Sequence, residues 1–99
     1  MIKFMVLYGH PADARRFEEY YPAHLAIAAK MKGVTRMELT KFLPGADGAR
    51  PAFYRMAELY FAAPEQMQAT LASPEGQAAV QDLQNFATGG VTVLAGSVG

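Results

Sequence analysis

Cysteine is absent from this chain, which excludes disulfides, thiolate metal sites and a cysteine nucleophile together. Tryptophan is absent as well. Neither sign of charge predominates, because nine Lys and Arg balance nine Asp and Glu. No Lys/Arg block is interleaved with aromatics, so no basic stripe exists to follow phosphates and nucleic acid is not an expected partner. No apolar run approaches the roughly 20 residues that span a bilayer, and the opening one is too short for a signal h-region with its cleavage site. A cytoplasmic protein without membrane association is therefore expected. Charge is scarce overall, at 18% of residues against roughly 25% in an ordinary domain.

What is abundant is apolar side chain, at 52% of 99 residues. That length suits one domain, residues 1–99, and a domain so small leaves a large share of its surface in water. Some of the apolar area is therefore expected to meet a partner chain or to line a ligand cavity, self-association being the simpler of the two.

Ile2 to Tyr8 is almost continuously apolar and reads as a strand covered on both faces. Gly9-His10-Pro11-Ala12 is a turn, after which Asp13 is a suitable N-cap for a helix running to about Lys32, where Gly33 stops it. Pro22 lies inside that helix, so a kink near Tyr20-Tyr21 and a freed carbonyl at Glu18 are expected. Val34 to Phe42 and Phe53 to Phe61 read as two strands joined antiparallel through the Pro44–Pro51 loop. Pro64 to about Ala72 is a short helix; Ser73-Pro74 caps the next, with Val80, Leu83 and Phe86 as its apolar stripe. Gly89-Gly90 ends it, and Val91 to Val98 is a last strand.

The order is βαββαβ, the split ferredoxin-like motif: an α+β fold whose four-stranded antiparallel sheet carries helices on one face. The uncovered face would expose apolar residues from all four strands, more than a soluble monomer tolerates. Two sheets packed face to face resolve this and leave each domain a cavity between sheet and helices, so a homodimer is expected.

One histidine stands out. His24 follows Tyr20 by four residues, Tyr21 by three and Phe17 by seven, which places it on the aromatic stripe of the first helix and away from Arg15, Arg16, Glu18 and Glu19. An imidazole with an ordinary pKa near 6.5 can take or give a proton at neutral pH. The same placement also suits a core histidine bonded to a tyrosine hydroxyl or to the carbonyl freed by Pro22. Tyr20 and Tyr21 are about 100° apart on a helix; Tyr21 shares a stripe with Phe17, Leu25 and Ala28, and Tyr20 is placed to bond His24. His10, beside Tyr8, lies in a turn where histidines are commonly solvated, and no third ligand has metal spacing, so no metal site is expected. Arg36, Glu38, Arg55 and Glu58 are charges within strands, read either as ion pairs or, for Arg36 and Arg55, as binders of an acidic or phenolate oxygen. The glycines near Gly45 and Gly48 open no helix, so no phosphate cradle is present and no nucleotide cofactor is expected.

The opening strand, the Phe17-x-x-Tyr20-Tyr21-x-x-His24-x-x-Ile27 helix, Lys32-Gly33-Val34, Tyr54 to Phe61, Ser73-Pro74-Glu75-Gly76 and the closing strand together resemble the EthD family of the dimeric α+β barrel superfamily. The resemblance covers nearly the whole chain. It implies a homodimeric barrel associated with oxidative degradation of small organic molecules, with tailoring of aromatic polyketides among related barrels. Haem-degrading barrels use a tryptophan that this chain does not have. On this reading a cofactor-independent, oxidoreductase- or monooxygenase-like enzyme acts on a small hydrophobic or aromatic compound. His24 is its catalytic acid/base, and Tyr8, Phe17, Tyr20, Tyr21, Arg36 and Arg55 contact the substrate. The alternatives are a non-catalytic dimeric binding protein and a structural dimer without ligand.

Overall fold

A computed structural model describes all of residues 1–99. Its elements are β1 (Ile2–Tyr8), α1 (Ala14–Ala28), β2 (Arg36–Lys41), β3 (Arg55–Phe61), α2 (Pro64–Ala72), α3 (Pro74–Asp82) and β4 (Val91–Ser97), with a single 3-10 turn at Leu83–Asn85. The strands form one antiparallel sheet in the order β2-β3-β1-β4. The architecture is thus the expected α+β, ferredoxin-like one. The near-continuous apolar character of β1 has its reason here: β1 is central and pairs with β3 on one side and β4 on the other.

Side chains alternate between the two faces of a strand, and the register aligns them. Phe4, Val6 and Tyr8 of β1 share the helix-covered face with Leu59, Ala57 and Arg55 of β3 and with Ala95, Val93 and Val91 of β4. Lys3, Met5 and Leu7 share the outer face with Tyr60, Glu58 and Met56. The expectation that all four strands expose apolar residues on the outer face needs correction, because β2 places Arg36, Glu38 and Thr40 there. Met5, Leu7, Met56 and Leu94 do lie there, but Lys3 bonds Glu58 at 2.6 Å and Arg36 bonds Glu38 at 2.6 Å, forming a charged lattice around Tyr60.

The caps are as read: the Asp13 carboxylate accepts from the Arg16 amide at 3.2 Å and the Ser73 hydroxyl from the Gly76 amide at 3.1 Å. The first helix is shorter than expected and ends at Ala28. Lys30 and Met31 bond back to Ile27 and Ala28, three residues earlier, and these tightened bonds close the helix before Gly33 is reached. Pro22 is accommodated inside a continuous helix.

Of the expected stripe, Phe86 is buried and Leu83 packs against the core, but Val80 is 53% exposed, and the buried positions within α3 itself are Gly76, Ala79 and Asp82. The cause is close packing, since a β-carbon at Gly76 would collide with the Thr70 carbonyl oxygen. Small residues bring α3 in against its neighbours, and this rotates Asp82 inward.

The core centres on Tyr8, Phe17 and Phe61, each almost wholly enclosed. Phe86 completes it, with its ring centroid 5.0 Å from Phe17 and 4.6 Å from His24. At roughly 0.5–1.5 kcal/mol per aromatic pair beyond burial itself, this cluster fastens α1 to the sheet.

Candidate functional site

Between the sheet and the helices lies a cavity of about 300 Å³, at the small end of ligand pockets. Its floor is Phe4, Val6, Tyr8, Met37, Ala57 and Leu59; its roof includes His24 and Leu25 of α1 and Ala79 and Leu83 above α3 and the following turn. No Lys, Arg, Asp or Glu lines it, and His24 is its one titratable nitrogen base. Val80, Val91 and Val93 line it too and are 53%, 38% and 47% exposed, so the mouth opens between α3 and the edge strand β4. A wider groove of about 510 Å³ runs between α1 and α3, but it is open to solvent and mostly polar.

His24 is 6% exposed. Neither partner expected for it is the one it has: its Nδ1 lies 2.8 Å from Oδ2 of Asp82, fifty-eight residues away in sequence. Tyr20 does not bond His24 but donates to the other oxygen of the same carboxylate at 2.7 Å, and the Asn85 amide donates to that oxygen at 2.9 Å. Burial acts to raise the Asp82 carboxyl, and the hydrogen bonds from Tyr20, Asn85 and His24 outweigh it and hold the group below the usual carboxylate range. The bond to Asp82 correspondingly raises the Tyr20 phenol.

An ionised carboxylate only accepts hydrogen bonds. Nδ1 of neutral His24 therefore carries the proton and Nε2 keeps its lone pair. Nε2 makes no hydrogen bond within the chain. Asp82 lines the open groove while His24 lines the cavity, so the pair crosses the wall between them. The ring is held through Nδ1 by the carboxylate and forms part of the wall of the apolar chamber.

The remaining expected site residues divide. Tyr8 lines the cavity beside His24. Phe17 and Tyr21 stand behind Tyr8, their rings 5.3 and 5.8 Å from its own. Burial raises both the Tyr8 and Tyr21 phenols, which keeps them protonated as donors. Tyr21 Oη is enclosed and lacks a well-formed hydrogen bond, the Tyr8 hydroxyl being its polar neighbour.

Arg55 is on the helix-covered face but is already engaged. Its guanidinium grips Glu18 with two bonds of 2.9 and 2.6 Å and stacks 4.9 Å from the Tyr21 ring centroid. Those bonds, joined by one from Tyr54, lower the Glu18 carboxyl to about 2 against the opposing pull of burial. Arg36 does not belong to the cavity. It lies on the outer face, paired with Glu38 and stacked 4.5 Å over the Tyr60 ring, because even-numbered residues of β2 point away from the helices. His10 is not simply solvated, since its Nε2 meets the Pro51 carbonyl at 2.7 Å.

Asp82 is the one candidate-site residue, as the partner of His24, that the sequence did not point to. The available signal was the spacing of Gly76, Ala79 and Asp82, two small residues and an acid three apart on one helix face. An apolar stripe beside it drew attention away.

A ferredoxin-like α+β domain enclosing an apolar cavity with a single carboxylate-held histidine is the class that fold and site define. Residues 10–90 match the EthD domain, and the chain belongs to that family. It is 39% identical over 95 residues, 95% of its length and 91% of the relative's, to an uncharacterised 11.0 kDa protein from the thcB-thcC intergenic region of Rhodococcus erythropolis. A crystal structure of an EthD family protein from Bacillus halodurans superposes with a TM-score of 0.91 at 30% identity, over 99% of this chain and 98% of that one. A dimeric ferredoxin-like protein of unknown function from Thermobifida fusca shares the fold alone, with a TM-score of 0.73 at 12% identity over 98% and 90% of the two chains.

Proposed function

We propose that this protein is a small cofactor-independent enzyme in which His24 acts as general base on a small hydrophobic or aromatic molecule held in the cavity. The observation that carries the reading is the dyad itself: Asp82 holds Nδ1–H of a histidine that lines the chamber, which leaves the Nε2 lone pair as its available base. Asp82 positions the ring and stabilises the imidazolium that forms, the role a carboxylate has beside a catalytic histidine. Tyr8 supplies a protonated phenol nearby. Deprotonation leaves an electron-rich anion, the form in which a phenol or enol reacts with molecular oxygen, in keeping with the oxidative degradation that the family resemblance implies.

The test is base catalysis itself. An aryl 1,3-diketone incubated with the protein in D2O should exchange its central C–H protons faster than in buffer, followed by NMR. His24→Gln should remove the acceleration while the diketone still perturbs the cavity resonances. Binding without accelerated exchange in the natural chain would favour the second reading, a binding protein that holds such a molecule for a partner enzyme; the enclosed apolar volume suits that role without any chemistry.

A homodimer is part of the proposal. The half of the outer face formed by Met5, Leu7, Met56 and Leu94 is apolar, with Leu94 51% exposed, and a second copy would cover it. A dimeric mass by light scattering at micromolar concentration is expected; a monomeric one would refute it.

A further inference from the structure

The geometry points to a ligand that enters the cavity uncharged, carrying one weakly acidic O–H or C–H for His24, and to the rejection of carboxylates and phosphates of the same size and shape. This rests on the cavity being a ligand site, as proposed above, but not on turnover.

The argument is one of charge accounting. An anion moved from water into an apolar enclosure loses solvation that only a cation or several donors can replace. No cation lines this cavity. The helix-face arginine, Arg55, is neutralised by two bonds to Glu18. The other strand arginine, Arg36, is on the far side of the sheet. The sole nitrogen base, His24, is tied at Nδ1 to an ionised carboxylate, so the wall behind it is already negative.

The approach adds to the discrimination. Val80, Val91 and Val93 form the mouth, and a solute passing them sheds its water before it reaches any polar atom. A neutral acid sheds far less hydration than an anion and meets a much lower barrier. Once inside, its proton can pass from ligand oxygen or carbon to Nε2, leaving an anion beside an imidazolium whose Nδ1–H still bonds Asp82. Charge is then created as a pair inside the chamber, so no unbalanced anion has to be carried in. A phenol on one or two rings and an aryl 1,3-diketone satisfy these conditions; the corresponding arenecarboxylate does not.

The experiment compares 2-naphthol with 2-naphthoate at neutral pH, each titrated into isotopically labelled full-length protein and followed through the amide resonances of Leu25, Ala28 and Val93. Naphthol should bind saturably, and naphthoate at least tenfold more weakly. A second variant gives the idea a positive arm. Val93→Lys places a cation at the exposed lip, where the fold tolerates it, and should strengthen naphthoate binding several-fold relative to naphthol. Naphthoate binding as tightly as naphthol to the natural chain would overturn the inference, as would Val93→Lys leaving the ratio unchanged. Absence of diketone exchange alongside an intact naphthol preference would defeat the enzymatic reading and leave this one standing.

Discussion

The two faces of the sheet carry polar groups in opposite ways. On the covered face, polar groups are few and held on several sides: Asp82 accepts three hydrogen bonds, and Glu18 accepts two from Arg55 and one from Tyr54. On the outer face, Lys3, Glu58, Arg36 and Glu38 form pairs around Tyr60, two of the four open to solvent. Strand alternation produces both faces from the same segments. Burial makes the His24–Asp82 contact the costliest to break and leaves Arg36–Glu38 to be screened by water and salt, with Arg55–Glu18 and Lys3–Glu58, both part-buried, between them.

That contrast can be broken most forcefully at its apolar foundation. Phe61 is 0% exposed, and Phe61→Ala should destabilise the domain by about 3–5 kcal/mol, read from urea denaturation. An effect no greater than that of a surface substitution would mean the inner face is not packed as described. Next in size, Asp82→Ala strands the His24 and Tyr20 donors and should cost about 2–3 kcal/mol. Asp82→Asn is the sharper probe of function, because its amide can present either edge to Nδ1. The tautomer of His24, read from its ring nitrogen shifts, should then no longer be a single Nδ1–H form.

Glu18→Gln loosens the grip on Arg55 and should cost about 1 kcal/mol, the pair being part-exposed and screened. Its pH dependence has a definite sign. The folded-state pKa near 2 lies below the ordinary carboxylate value, so the stabilisation is complete above about pH 4.5 and fades as pH falls toward 2. Natural chain and Glu18→Gln should therefore converge in melting temperature on acidification and run parallel at neutral pH. A gap that stays constant down to pH 2 would remove the pair from the account.

The smallest effect is expected outside. Arg36→Ala should barely move the melting temperature of the isolated chain, and moderate salt should erase what difference remains. If a second copy covers this face, the same substitution, and Leu94→Arg more strongly, should instead lower stability in a manner that depends on protein concentration. The comparison of faces and the dimer proposal thus meet in one titration.

Much of the fold was legible along the chain. The apolar run of β1, the Asp13 and Ser73 caps and the Ser73-Pro74 start were local signals, and local physics decided them. The 3.6-residue repeat was enough to place His24 with Phe17 and Tyr21 on the buried side of α1. The place of Arg36 was not legible: alternation along β2 groups it with Glu38, but nothing local says that the helices cover the opposite face, so it was expected in the cavity and lies outside it.

The partner of His24 was not legible, because nothing in a run from Phe17 to Leu25 refers to a carboxylate fifty-eight residues on. Nor was the engagement of Arg55, which depends on α1 lying across β3. The sequence by itself determined the elements, their caps and the side of the helix on which a histidine would sit, since hydrogen-bonding propensity and periodicity act over a few residues. Only the tertiary structure decided that this histidine is held by Asp82, shares that carboxylate with Tyr20 and lines a chamber without charge. Those facts depend on how closely Gly76 and Ala79 let α3 approach, and long-range packing of that kind leaves only a faint trace in local pattern.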